Sequence, residues 1–124
     1  IPFINEPELE RVLEAAAEAG ARRCHYTVVR LPWEVAPLFQ EWLLAHYPER
    51  AERVMARIRE MRGGRDYEAR FGARMKGQGV WADLIRARFE AACRRLTLAV
   101  DTPPLRTDAF RPPAQPPGPQ LALF

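Results

Sequence analysis

Apolar positions recur along this chain with helical spacing in four stretches and run nearly unbroken in two others. Leu9, Val12, Leu13 and Ala16 form one stripe and predict a helix from Glu6 to Ala19. Asn5 is placed to act as its N-cap, with Glu8 closing a capping box, Pro7 tolerated in the first turn and Gly20 as the stop. Cys24 to Leu31, rich in β-branched and aromatic residues, predicts a strand that ends at Pro32. Val35, Leu38, Phe39, Trp42 and Leu43 predict a second helix from Glu34 to His46, with Pro37 in its first turn. Ala51, Val54, Met55, Ile58 and Met61 predict a third, from Pro48 to Met61, ended by Gly63-Gly64. Leu84, Ile85, Phe89, Ala92 and Cys93 predict a fourth, from Val80 to Leu96. Residues 65–79 read as a Gly-punctuated, Arg-rich loop. From Leu98 onward proline dominates, which predicts an extended or disordered tail.

Ile1 to Asn5 is an apolar run ending in Asn just before a helix start, which predicts the end of a buried strand. Strand, helix, strand in this spacing is a βαβ unit, and such a unit requires a parallel sheet around it. Two buried parallel strands cannot cover themselves. The expected fold class is therefore α/β: a C-terminal βαβα part of a partial (β/α) barrel, then a helical extension and a Pro-rich tail. The expected division is 1–64 for the end of the barrel, 65–97 for the basic loop and last helix, and 98–124 for the tail. The remaining barrel strands would come from upstream residues of the same protein.

Composition narrows the class only a little. With 124 residues and 48% apolar content the chain suits one domain with a core. A net charge of +3 is a mild basic bias, compatible with nucleic acid but not diagnostic. No apolar run approaches the roughly 20 residues that span a bilayer. Cys24 and Cys93 are far apart, sit in apolar patterns and lack the spacing of a zinc site, so they read as buried free thiols of a cytoplasmic protein.

Parallel strands joined by a right-handed crossover end on one rim, where α/β proteins bind ligands. Asn5 ends the first predicted strand and Arg30 nearly ends the second. The structural alternative is an N-cap and an arginine paired with a neighbouring carboxylate.

These residues also carry a resemblance. Ile1-Pro2-Phe3-Ile4-Asn5-Glu6, the helix ending Ala19-Gly20-Ala21, and Val28-Val29-Arg30-Leu31-Pro32 resemble the end of a radical S-adenosylmethionine (radical SAM) barrel. The branch it is similar to is the spore photoproduct lyase-related one. Members carry a strand ending Pro-x-Ile-Pro-x-x-Asn-Asp and a second ending Leu-Arg-Leu-Pro; here Phe3 and Ile4 hold the central positions and Glu6 replaces Asp. Met61-Arg62-Gly63-Gly64-Arg65-Asp66-Tyr67 and Arg70-Phe71-Gly72-Ala73-Arg74-Met75 also look like this branch. The resemblance implies a lyase-like enzyme of DNA repair type. It would hold a 4Fe-4S cluster on a CxxxCxxC loop and cleave S-adenosylmethionine to a 5′-deoxyadenosyl radical. This chain has no CxxxCxxC, so the metal ligands are expected upstream, and Asn5 and Arg30 are the expected contributors to the adenosyl pocket.

Between Arg57 and Lys76 positive residues dominate and aromatics interleave. Arg65, Arg70, Arg74 and Lys76, with Tyr67 and Phe71, suit phosphate contacts and base stacking. The bland alternative is a solvated loop pinned by Tyr67 and Phe71. The chain ends Gln120-Leu121-Ala122-Leu123-Phe124, similar to the short peptide by which bacterial replication and repair proteins dock on the DNA sliding clamp. Gln120, Leu121, Leu123 and Phe124 would be its contacts. Two function classes follow: a radical SAM enzyme acting on nucleic acid, or a non-enzymatic helical adaptor that binds DNA or a clamp.

Overall fold

In the computed structural model, which describes residues 1–113, the chain is helical rather than α/β. A 3-10 turn at Glu6–Glu8 leads into α1 (Leu9–Glu18), followed by α2 (Val35–His46), α3 (Ala51–Glu60), the short α4 (Ala73–Lys76) and α5 (Val80–Arg95). Helix α1 packs on α5, and α2 on α3. Among the described residues there is no sheet, and the lone β-bridge joins Arg23 to Ala99. The expected βαβα barrel end is thus corrected to two helix pairs and a connecting extended segment.

Both predicted strands fail for a physical reason. Ile1 to Asn5 closes into a turn in which the N–H groups of Ile4, Asn5 and Glu6 all donate to Ile1 O, and Phe3 adopts a φ of +59°. Its ring lies 5.5 Å from that of Trp81 and 4.0 Å from the Arg53 guanidinium, an aromatic and cationic stack in place of a sheet neighbour. The second run, residues 24–31, is extended, but its backbone is satisfied by other means than a ladder. Cys24 N–H donates to Ala99 O (3.0 Å), Val28 N–H donates to Met75 O (2.9 Å), and Val28 O and Val29 O accept from Arg62 Nη2 (3.3 and 3.0 Å). An extended segment needs its polar groups paired; a buried arginine, a carbonyl of α4 and the chain at Ala99 do that here.

This segment feeds every core. Cys24 and Tyr26 join Leu13, Phe89, Ala92, Cys93 and Leu98 between α1 and α5. Val28 joins Met61, Ala82 and Ile85. Val29 and Leu31 join Leu43, Val54, Met55 and Ile58 between α2 and α3. All five stripe residues assigned to the third helix are buried, Met61 lying just past its end. Burying side chains of this size contributes about 2 kcal/mol each. Helix α2 behaves differently: only Leu43 of its predicted stripe is fully buried, while Leu38 and Trp42 are exposed. In α1 Val12 is exposed, and in α5 Leu84 is.

The ends of the helices show what local sequence can do. Helix α1 stops in a Schellman motif, with Gly20 N–H bonded to Ala17 O, Ala21 N–H to Ala16 O, and Gly20 at φ +94°. Helix α5 stops in the same motif with Thr97 in the left-handed position, at φ +57°. Asn5 makes no capping bond. Glu8 turns to Arg11 instead, at 2.5 Å. The α1–α5 pair is tied by Arg88, which forks onto the Glu10 carboxylate (2.8 and 2.7 Å) and also pairs with Glu6.

Candidate nucleic-acid interface

The Arg-rich loop is organised by its least exposed member. Arg62 lies two residues past the end of α3 and is 1% exposed. The turn at Gly63-Gly64 sends the chain back over it, with Gly64 N–H donating to Arg59 O (2.8 Å). Its guanidinium gives four hydrogen bonds to main-chain carbonyls: Ala73 O and Arg74 O through Nη1 (3.0 and 2.8 Å), Val28 O and Val29 O through Nη2. Burial, and then the nearby charge of Arg30, lower its proton affinity from the usual arginine range. One side chain therefore holds the loop, α4 and the extended segment together.

Other contacts pin the first half of the loop. Asp66 accepts from Arg59 Nε (2.5 Å) and from Gln40 Nε2 (3.2 Å). Tyr67 Oη accepts from Arg30 Nη2 (3.1 Å), and the Arg30 guanidinium lies 5.8 Å from the Tyr67 ring centre. Glu68 accepts from the Arg70 backbone N–H (2.9 Å) and from Arg70 Nη2 (3.1 Å). Those two bonds hold its carboxyl below the usual glutamate range.

Beyond these anchors the loop turns outward. Phe71 is 90% exposed, and the Arg74 guanidinium lies 5.1 Å from its ring centre. Arg65, Arg70 and Lys76 of the same loop are exposed as well. Lys76 Nζ sits 4.3 Å from the Tyr26 ring centre. Arg65 and Arg70 line a polar cleft of about 420 Å³ with Arg62, Glu68 and Gln78. A bare aromatic ring among arginines offers a stacking face and phosphate contacts together. Sequence reasoning named these residues but gave Arg62 no separate role; its position immediately before two glycines is the signal that sets it apart.

The proposed adenosyl residues lie in different surroundings. Asn5 lines a mainly apolar cleft of about 270 Å³ with Leu9, Leu13, Tyr26, Val28 and Phe89, and Arg30 is not among its lining residues. Among the described residues no group of three or more His, Cys, Asp or Glu side chains is placed to hold a metal ion. Cys24 and Cys93 face each other, with Sγ atoms 3.2 Å apart. No described helix is long and apolar enough to cross a membrane. Gln120, Leu121, Leu123 and Phe124 lie outside the described residues.

No protein-family model, curated protein or solved structure matches this chain.

Proposed function

We propose that this chain contacts nucleic acid through residues 65–76 and does so as part of a radical SAM enzyme related to the spore photoproduct lyases. The observation that carries the first statement is the exposed Phe71 ring beneath Arg74, in a loop whose Arg65, Arg70 and Lys76 are also exposed. An isolated charge run is usually a solvated face. An aromatic ring left almost bare inside one loses apolar burial unless a base stacks on it. The second statement draws support from how the family-like segments meet. Val28 to Leu31, Met61 to Tyr67 and Arg70 to Met75 converge through Arg62 and through the Arg30–Tyr67 bond. The cluster and S-adenosylmethionine would be held by other residues of the enzyme. The part contributed here is helical and supplies a surface rather than barrel strands.

Binding of the full chain to a fluorescent single-stranded DNA, followed by anisotropy over a salt series, tests the interface. Phe71→Ala is expected to weaken binding by about 1–3 kcal/mol without lowering thermal stability. Equal affinity of variant and parent would remove the stacking role. Iron and sulfide analysis of the anaerobically purified enzyme tests the enzyme assignment separately.

The helical architecture favours a second reading, an adaptor with no catalysis of its own. Here the tail would recruit the chain to a sliding clamp, because an apolar cluster behind a Pro-rich spacer suits a linear docking peptide. A peptide of residues 116–124 should then bind purified clamp with a Kd on the order of micromolar. Changing Leu123 and Phe124 to Ala should abolish that binding in calorimetry.

A further inference from the structure

Cys24 and Cys93 are separated by 69 positions, yet their Sγ atoms lie 3.2 Å apart. Each is held in place by contacts that do not involve sulfur. Cys24 follows the Arg23–Ala99 bridge, and its N–H donates to Ala99 O at 3.0 Å. Cys93 lies in α5, its carbonyl accepting from Leu98 N–H at 2.9 Å in the turn that ends the helix. The bridge and the turn together aim the two side chains at one another. No carboxylate, imidazole or third thiol completes a metal site with them among the described residues.

We propose that Cys24 and Cys93 form a dithiol that hydrogen peroxide oxidises to an intramolecular disulfide, locking the extended segment to the end of α5. The two sulfurs have different parts. Cys24 is half-buried, and Cys93 is 2% exposed at the floor of a cleft lined by Glu90, Arg94, Thr97 and Leu98. Burial, and then the neighbouring Cys24, push the Cys93 thiol up to about 12. Cys24, the more exposed of the two, is therefore the sulfur oxidised first. Its thiolate takes one peroxide oxygen, the O–O bond breaks, and Cys24 becomes a sulfenic acid while the other oxygen leaves as water. The Cys93 sulfur then attacks the Cys24 sulfur. The S–S bond forms, the S–O bond breaks, and the hydroxyl departs as a second water with the Cys93 proton. Two thiols lose two hydrogens and one peroxide is reduced to two waters.

The deciding experiment treats the full chain with equimolar hydrogen peroxide, blocks remaining thiols by alkylation and maps tryptic peptides without reductant. The expected product is Cys24–Arg30 joined to Phe89–Arg94, in a monomer two hydrogens lighter than the parent and restored by dithiothreitol. The oxidised protein should melt higher, by on the order of 10 °C, because the link closes a long loop. Cys93→Ser treated with peroxide and dimedone should carry the adduct on Cys24. Recovery of both cysteines alkylated, of Cys24 as sulfinic acid, or of disulfide-linked dimers in place of the internal link would overturn the proposal. The map of the parent protein decides the matter even if the serine variant does not fold.

Discussion

Arg62 and Arg70 belong to one run of positive charge and do opposite work. Arg62 is buried and spends four N–H groups on main-chain carbonyls of two distant segments. Arg70 is exposed, and among the described residues its guanidinium hydrogen-bonds Glu68 alone, two positions away. Replacing a buried guanidinium whose partners are backbone carbonyls is costly, because carbonyls with no other donor are left without partners. An exposed one with a local carboxylate contributes little to stability and remains available to a ligand. Charge counting along the sequence merges these two roles; burial and partner type separate them.

The largest expected effect is on the Arg62 side. Arg62→Met keeps the volume but strands the carbonyls of Val28, Val29 and Arg74, Ala73 O keeping its bond from Gly77 N–H, and should cost on the order of 4 kcal/mol in urea unfolding. Arg62→Lys should recover little, since one ammonium cannot reproduce the planar fork. Stability of Arg62→Met within 1 kcal/mol of the parent would erase the contrast. On the Arg70 side, changing Arg65, Arg70 and Arg74 together to Gln should leave the urea midpoint nearly unchanged. It should reduce the log–log salt slope of DNA binding by roughly one unit per lost phosphate contact. An unaltered slope would return these arginines to solvent. The smallest effect concerns backbone alone. Thr97→Gly relieves a β-branched residue from a left-handed conformation and should stabilise by about 1 kcal/mol. Gly20→Ala imposes the same strain at the end of α1 and should destabilise by a similar amount, steric contact being absent there.

Local rules of sequence served the helices well. The α3 stripe, the Gly20 stop and Pro37 in the first turn of α2 all lie where periodicity and residue type placed them. The strands were misread because apolar, β-branched composition reports burial and extension, and neither requires a sheet. Residues 24–31 are extended and largely covered, but the partner that satisfies Val28 and Val29 is an arginine more than thirty positions away. No local pattern encodes that. The Asn5 cap was equally a matter of competing contacts, since Glu8 finds Arg11 and leaves the capping box unmade. Of the candidate interface, the charge and the aromatics of the loop were legible as composition alone. Which arginine is structural, and that the two cysteines meet, depended on the tertiary fold.

The two helix pairs also differ in when they can form. Helices α2 and α3 are joined by residues 47–50 and can close as soon as both exist. Helix α1 must wait for α5, whose Arg88 and Phe89 come some eighty positions later. Closing so long a loop is entropically slow, and chains dominated by distant contacts fold slowly. During synthesis on a ribosome, Leu9, Leu13 and Tyr26 therefore spend the whole interval before α5 emerges without the surface that covers them. That interval is when a chaperone would find its target on this chain, and amide protection in pulsed hydrogen exchange should appear in α2–α3 before α1.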